Sequence, residues 1–388
     1  MPAPKRLQRR ANMARVLRYC LESPRTLSDI AQQCSITRPA AESVVSDLAD
    51  LGWITEVAPP QGFTSLGRPA AFYGMATDAG HVLSLDIGAH HITAMSADLS
   101  GKILDERSIN IDEDCSADTR IDVAVDLTNE VREHTTCGTA WTCAVASPGV
   151  QHDGRVVYFG GEGMPGWQGL ALDQIFSDRL GVRVRTAGDC ALGARGESWK
   201  GAASQYSDVV FILAGRRTGA ASVIDGRVRE GFMGSAGLIG ELPCIRWKDL
   251  ESETFVSHRF AGRTPTREEL FEGALVAHDG DADYQGAIAE YAHILAQGTA
   301  AMILAIAPQC VVIGGQFARY ASLFYDQLVD DLTDLCPFMP HVAASTLGRR
   351  AVALGGIRLG LDDIFDQITR LVTHADYFPS ISPNTLWK

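Results

Sequence analysis

The first 76 residues carry the pattern that most restricts the fold of this chain. Apolar residues recur at intervals of three and four residues in three successive segments, which predicts three amphipathic helices. Thr37, after a tight break at 34–36, is a good N-cap for the third helix, and Gly52 ends it. Strands at 53–57 and 71–75 then flank a loop rich in proline and glycine. The apolar positions are Met13, Val16, Leu17, Cys20, Leu21, then Leu27, Ile30, Ala31, Cys34, then Ala41, Val44, Val45 and Leu48.

This order of elements predicts a winged helix-turn-helix, whose third helix enters the major groove of DNA by its N-terminal residues. On that geometry the exposed face of the helix carries Arg38, Pro39, Glu42, Ser43 and Ser46. The alternative is a small helical domain that binds protein, which the acidic residues of the third helix favour. The spacing and the basic residues before the first helix favour DNA.

Charge is distributed unevenly along the 388 residues, whose formal net charge is −13. Residues 1–76 hold nine Lys and Arg against six Asp and Glu, a balance of +3, which leaves −16 for the rest. Any contact with nucleic acid is therefore expected in the first segment. Six basic residues come before the first acid, Glu22, and form a candidate basic arm. They are Lys5, Arg6, Arg9, Arg10, Arg15 and Arg18.

From His81 onward, apolar strand-like runs alternate with helical segments, which predicts an α/β architecture. The length predicts two or three domains. The expected strands lie at 82–87, 92–97, 141–147, 182–186, 209–213 and 310–313. The expected helices lie at 121–134, 172–180, 190–199 and 287–306.

Several classes of protein do not fit the sequence. The most apolar stretch, 299–315, is interrupted by Pro308 and is too short to span a bilayer, and no signal peptide is expected. The nine cysteines are scattered singly, without the spacing typical of a zinc site. We therefore expect a cytoplasmic protein with reduced thiols, no membrane partner, no metal and no cofactor.

A series of short motifs from about Asn12 to Phe365 resembles the ROK family of bacterial repressors and sugar kinases. The resemblance implies an actin-like, two-lobed kinase fold behind the DNA-binding unit. The expected division is 1–78 for the winged helix-turn-helix, 79–190 plus 355–388 for the first lobe, and 191–354 for the second. The motifs are Gly67-Arg68-Pro69, Asp86-Ile87-Gly88, Ser147-Pro148-Gly149, Met164-Pro165-Gly166-Trp167, Gly188-Asp189, Val223-Ile224-Asp225-Gly226, Gly314-Gly315 and Leu354-Gly355-Gly356.

The resemblance places groove contacts in the DNA-binding unit. Arg38 matches a major-groove contact, and Arg68 on the wing matches a minor-groove contact. The alternative for Arg68 is a solvated loop charge. The chain departs from the family pattern in having Ser35 at a turn position often occupied by glycine, and in a recognition helix poor in basic residues. The candidate DNA-binding residues are Thr37, Arg38, Pro39, Ser43, Ser46, Gly67 and Arg68.

Two loops match the family's phosphate loops but lack their key residues. The first family loop resembles Asp-x-Gly-Gly-Thr, whereas this chain has His90 in place of the hydroxyl residue. The second resembles Gly-Thr-Gly-x-Gly, whereas here Arg217 replaces the middle glycine, although two arginines could attract an anion. The alternative is that both loops are ordinary hairpin turns. The vestigial loop residues are Asp86, Gly88, His90, Gly215, Arg216, Arg217 and Gly219.

The sugar site of the family is also altered. Family kinases use an Asn-Asp pair whose Asp is the general base. Gly188 replaces that Asn, and Asp189 remains either as a pocket residue or as a helix N-cap. Leu238 and Glu241 stand where the family has its sugar-binding Glu and its zinc-ligating His. The cysteines of the family's zinc site are missing after Cys244.

These departures predict a transcription regulator, most simply a repressor, with a catalytically inactive kinase-like domain. Its partners would be double-stranded operator DNA and a second copy of the chain, as a homodimer or a dimer of dimers. The vestigial pocket would bind a sugar or a sugar derivative as effector. The rival from the enzyme class is a sugar kinase with an altered substrate site, and a third possibility is a dimerisation scaffold without a ligand. The tail from about Thr369 has no counterpart in the family pattern.

Overall fold

The computed structural model describes residues 4–59, 70–161, 163–251, 256, 258–260, 265–276, 281–375 and 377–387. The DNA-binding unit comes first. It consists of α1 (Pro4–Glu22), β1 (Arg25–Thr26), α2 (Leu27–Gln33), α3 (Arg38–Asp50), β2 (Ile54–Val57) and β3 (Phe72–Met75). The three strands form one antiparallel sheet in the order β1-β3-β2. The predicted winged helix-turn-helix is confirmed, while most of the wing loop, 60–69, lies outside the described residues.

Local capping explains where the second and third helices begin. Thr26 and Asp29 form a capping box at α2, in which each side chain accepts a backbone N–H of the other residue. Thr37 caps α3 by accepting the N–H of Ala40, as predicted. Ser35 has φ of 52°, a left-handed conformation that glycine would adopt without strain.

The first lobe is built on a five-stranded sheet with the order β10-β7-β4-β5-β6. Strand β4 pairs in parallel with β7, which pairs in parallel with β10, so the carboxyl ends of these three strands meet at one edge. At this edge Asp86 of β4 pairs with Ala146 of β7, and Gly188 of β10 pairs with Ser147. The elements are β4 (Gly80–Ile87), β5 (His91–Asp98), β6 (Ile103–Asn110), α4 (Ala117–His134), β7 (Thr139–Ser147), β8 (Val150–His152), β9 (Arg155–Tyr158), α5 (Leu172–Leu180) and β10 (Arg183–Gly188).

The second lobe has its own five-stranded sheet, in the order β13-β12-β11-β14-β15. Its elements are α6 (Asp189–Lys200), β11 (Val209–Ala214), β12 (Thr218–Ile224), β13 (Arg227–Val228), α7 (Arg267–Val276), α8 (Ala282–Ile306), β14 (Cys310–Gly314), α9 (Ala321–Leu335) and β15 (His341–Ala344). The chain then returns to the first sheet through α10 (Ala351–His374) and ends with α11 (Pro383–Leu386). The lobe boundaries given above stay a prediction. No helix in the described ranges is long and apolar enough to cross a membrane.

Helices α6 and α10 cross at van der Waals contact between the two sheets. A Cβ on Gly196 would overlap the carbonyl of Ala351, and one on Gly355 would overlap the carbonyl of Leu192. Glycine is therefore required at this crossing, because the two backbones touch. The same glycines weaken the helical signal in the sequence, and α10 was not among the predicted helices.

The DNA-binding unit shares a hydrophobic core with the first lobe. Side chains of α1 and α3 join residues of β4, β5 and α10 in one buried cluster, in which Val16, Leu48, Val82 and Ile357 are buried. Trp53 and Trp141 pack edge to face within it, with ring centroids 5.7 Å apart. The recognition helix is thus supported by the kinase-like domain rather than by its own unit alone.

Candidate functional site

The exposed face of α3 carries the predicted DNA-binding side chains. Arg38, Pro39, Ser43 and Ser46 are exposed, as is the capping residue Thr37. The opposite face is buried, and its residues are those predicted from the helical periodicity, namely Ala41, Val44, Val45 and Leu48. Gly67 and Arg68 lie outside the described residues.

The expected basic arm is corrected in part, because α1 already begins at Pro4 and holds several of its arginines in contacts within the chain. Arg10 is only 5% exposed, and its Nε donates to the carbonyl of Val372 at 3.3 Å. Arg15 donates to the carbonyl of Cys34 at 2.8 Å. Arg9 pairs with Asp47 at 2.6 Å and donates to Ser43 at 3.0 Å. These contacts stabilise the unit and orient α1 against α3, which leaves fewer arginines for DNA than the sequence suggested.

Two connected cavities lie between the lobes. The loop cavity, about 560 Å³, is lined by Asp86 and residues 88–91 of the first lobe and by residues 215–217 of the second. The inner cavity, about 610 Å³, extends from Gly188 towards Leu238 and Glu241. Six residues line both cavities, namely Pro148, Gly160, Asp189, Leu213, Arg217 and Glu251. The structure therefore brings the predicted loop and pocket residues together around one space.

The first loop is held by charged groups that the sequence analysis did not single out. His91 Nε2 lies 3.3 Å from Oδ2 of the buried Asp86. Burial lowers the pKa of His91, but the hydrogen bond and the charge of Asp86 outweigh it, so the pKa is raised overall. Arg120, fully buried, donates to the carbonyls of Gly88 and Ala89 at 2.7 and 2.9 Å. In the sequence Arg120 is one residue of a helical pattern, and nothing there indicates that its side chain holds the first loop.

The second loop reaches across the cleft and touches the first. Arg216 Nη1 lies 3.2 Å from Nε2 of His90, while its Nε pairs with Glu268 at 3.1 Å. His90 also lies 3.2 Å from Glu113, and burial followed by the charge of Arg216 lowers its pKa. Arg217 stacks on the ring of Phe159 at 4.4 Å. His90 and Arg216, which both belong to the predicted vestigial phosphate loops, thus contact each other.

Asp189 borders both cavities at the start of α6. Gly188 occupies the N-cap position of this helix, and no side chain caps it, so the interpretation of Asp189 as the N-cap is wrong. Its Oδ1 instead accepts the N–H of Cys190 at 2.7 Å. Burial, followed by repulsion from Asp86, raises the pKa of Asp189 to about 6. The carboxyl is therefore close to a change of charge at neutral pH.

Glu241 and Leu238 lie on the wall of the inner cavity. Glu241 pairs with Lys248 at 2.6 Å, and Leu238 opens a short 3-10 turn with 39% of its surface exposed. Cys244 is exposed, and all nine cysteines are free thiols. Within the described ranges, no group of three or more His, Cys, Asp and Glu side chains is placed to hold a metal ion.

Two polar residues of the inner cavity were missed by the sequence analysis. Gln151 in β8 and Thr218 at the start of β12 line the cavity, and both residues belong to the described part of the chain. The buried Oε1 of Gln151 and Oγ1 of Thr218 have no hydrogen-bond partner there. Buried polar atoms are normally hydrogen-bonded, so these two oxygens are exceptions on the wall of the cavity. Nothing in the local sequence distinguishes these residues from ordinary strand positions.

Fold and site together define a class of protein in which a winged helix-turn-helix precedes a two-lobed, actin-like α/β domain with a ligand-sized cleft. Residues 82–359 match the ROK family, and the chain belongs to that family.

Two repressors and one solved regulator structure are similar to this chain over most of its length. A xylose repressor of Caldicellulosiruptor bescii is 21% identical over 370 residues, which cover 86% of this chain and 91% of the repressor. A xylose repressor of Bacillus subtilis is 20% identical, covering 93% and 97% of the two chains. A crystal structure of a ROK family transcriptional regulator, a homologue of the E. coli MLC protein, superimposes with a TM-score of 0.70 at 18% identity, covering 93% and 97%. These likenesses extend across the DNA-binding unit as well as the two lobes.

Proposed function

We propose that this chain is a ROK transcriptional repressor, which binds operator DNA through α3 and responds to a small polyhydroxylated effector in the inner cavity. The observation that carries the proposal is the contact of Arg216 with His90, which joins the two loops across the cleft while the polar face of α3 stays exposed. The two similar xylose repressors support the same function. Such a protein acts on DNA in the cytoplasm.

The DNA-binding part of the proposal rests on α3. Arg38 is exposed at its N-terminal end, where a helix-turn-helix contacts base edges, and an arginine there pairs with guanine. Ser43 and Ser46 follow on the exposed face and suit contacts with phosphate or bases. Because operators contain two half-sites, a homodimer or a dimer of dimers would present two such helices.

Phosphoryl transfer is disfavoured by the two loops. Nucleotide phosphates require backbone N–H groups and small residues at close approach, and here the side chains of His90 and Arg216 occupy the approach. The Arg267 guanidinium, 2% exposed, donates to the carbonyls of Gly215 and Arg216 and holds the second loop in this conformation. A nucleotide would have to separate these contacts before binding. We therefore infer an impaired phosphate site and no kinase activity.

The effector part of the proposal rests on the inner cavity. Gln151, Thr218 and Asp189 offer acceptor oxygens around a space of about 610 Å³, which is ample for a monosaccharide. A sugar presents several hydroxyl donors, and these would satisfy the two unpartnered oxygens. The unpartnered oxygens favour an effector-binding domain over a scaffold that binds nothing.

The proposal is tested by selecting bound duplexes from fragmented genomic DNA and then measuring affinity with the selected sequence. Arg38→Ala should weaken binding by about 1 to 3 kcal/mol, roughly 5- to 150-fold, because a bidentate base contact is lost. Arg227→Ala, which removes an exposed arginine in β13 of the second lobe, is the control and should bind as the wild type does. Selection of no duplex, or sugar-dependent release of ADP by the purified wild type, would overturn the assignment.

A further inference from the structure

The last residues of the chain lie between the recognition helix and the first lobe. The C-terminal segment, residues 377–387, leaves the end of α10 and runs back over the DNA-binding unit. Phe378 and Leu386 are buried in the core that the unit shares with the first lobe. The sequence alone assigned no role to this segment, and the proposed function does not use it.

One part of the segment contacts the carboxyl end of α3. The N–H of Ile381 donates to the carbonyl of Leu51 at 2.9 Å, directly after the last turn of the helix. Trp53, fully buried, donates through Nε1 to the carbonyl of Pro379 at 2.6 Å. Gly52 has φ of 82°, and a Cβ there would overlap the side chain of Ile381. The segment thus covers the turn that ends α3 and satisfies two polar groups there.

The other part of the segment is fastened to the first lobe. Trp387 donates through Nε1 to the carbonyl of Trp141 in β7 at 3.2 Å. Arg183 at the start of β10 stacks on the ring of Trp387, with its guanidinium carbon 4.6 Å from the ring centre. Gln367 of α10 donates to the carbonyl of Leu386 at 3.0 Å. These contacts fix the segment to two neighbouring strands and to α10.

We propose that the C-terminal segment is a positioning element for DNA binding, which sets the orientation of α3 on the first lobe. The inference rests on the proposed function for its effect on DNA, whereas the effect on α3 itself does not. Helix α3 has thirteen residues and exposes its whole recognition face, so its orientation depends on what holds its buried face and its ends. The N-terminal end of α3 must stay accessible to DNA. Contacts that fix the orientation of the helix are therefore expected at its carboxyl end.

The test compares three variants, one truncated and two with single substitutions, with the wild type on the selected duplex. A chain that stops after residue 376 lacks the segment and should bind DNA at least tenfold more weakly. Trp387→Ala removes only the contacts of the segment with Trp141 and Arg183 of the first lobe, and it should weaken DNA binding severalfold. Trp199→Ala is the matched control, because this half-buried tryptophan of α6 packs on the shared core, while its cationic ring contacts are with Lys200 and Arg358 and not with the segment. It should leave DNA affinity within twofold of the wild type.

Amide hydrogen exchange separates positioning from general stability and needs no DNA. In the truncated chain, amides of α3 should exchange at least tenfold faster, while those of α8 in the second lobe stay protected. If the truncated chain does not fold, the DNA affinity and the amide exchange of Trp387→Ala test the proposal instead. Unchanged exchange in α3 together with unchanged DNA affinity overturns the proposal. A third outcome combines faster exchange of α3 in the variants with a wild type that selects no duplex. It would support the positioning role of the segment and refute only the proposed function.

Discussion

Replacing Asp189 by asparagine changes the charge of the residue at the centre of the interlobe site while keeping its shape. The carboxyl of Asp189 lies between the two cavities, near Asp86 and away from bulk solvent. Asparagine retains an oxygen that can accept the N–H of Cys190, as Oδ1 of Asp189 does. The substitution therefore removes the buried negative charge with little loss of packing.

The magnitude follows from the pKa of this carboxyl, which is raised from 3.8 to about 6 by burial and then by Asp86. Below pH 3.8 the group is protonated in both the folded and the unfolded chain, and the wild type suffers no penalty. As pH rises through about 6, the folded protein must hold a charge that the unfolded chain holds more easily, so stability is lost. The full loss is about 3 kcal/mol, an upper limit because Asp189 is partly exposed to the cavities.

Thermal denaturation over a range of pH measures this effect directly. The melting temperature of Asp189→Asn should exceed that of the wild type by up to about 4 °C at pH 8, and the difference should shrink towards zero near pH 4. Asp122→Asn removes an exposed carboxylate of α4 and serves as the control, with no comparable pH-dependent gain. A constant difference across the pH range, or a destabilised Asp189→Asn at pH 8, would refute the argument.

Three further predictions address the fold and the proposed lack of enzyme activity. Gly355→Ala should lower stability by about 1 to 3 kcal/mol, because the added methyl overlaps the backbone of Leu192 where α6 and α10 cross; an unchanged melting temperature would contradict this packing. Elemental analysis of dialysed protein should find no stoichiometric zinc, because the sequence resemblance predicts Glu241 at the position of the family's histidine ligand, and about one zinc per chain would count against this. Incubation of the wild type with ATP and a panel of sugars should yield no phosphorylated sugar, and a product that disappears in Asp189→Ala would instead support a kinase.

The sequence predicted those parts of the fold that depend on local patterns. The helical periodicity of residues 13–48 identified the buried face of α3 residue by residue, because an amphipathic helix shows its core side directly. Four strands of the first sheet, β4, β5, β7 and β10, were also predicted to within a few residues, since buried strands form continuous apolar runs. The fifth, β6, has no fully buried residue and was missed. The cap at Thr37 was predicted because its hydrogen bond is local.

Features that depend on distant residues could not be predicted in the same way. The contact of Arg216 with His90 joins positions 126 residues apart, and the bond of Trp53 to the carbonyl of Pro379 spans 326 residues. Helix α10 was missed because Gly355 and Gly356 weaken the helical pattern, although both are needed for close packing. A cap was one of the two interpretations of Asp189, because an aspartate before a helix suits that role, whereas the helix in fact begins at Asp189.

Helix α10 connects the cleft between the lobes with the DNA-binding unit. Its first residues, Ala351 and Val352, line the loop cavity, whereas Ile368 and Val372 near its other end belong to the core shared with α1. A helix of 24 residues is about 36 Å long, so one packed element extends from the cleft to the DNA-binding unit. A ligand alters DNA binding only if it binds one arrangement of the lobes better than another. In a dimer the distance between two recognition helices must match the half-site spacing. Under the proposed function, a small rotation of α10 against the second lobe changes that distance, and we expect the rotation to occur about the glycine crossing with α6, where the two backbones touch.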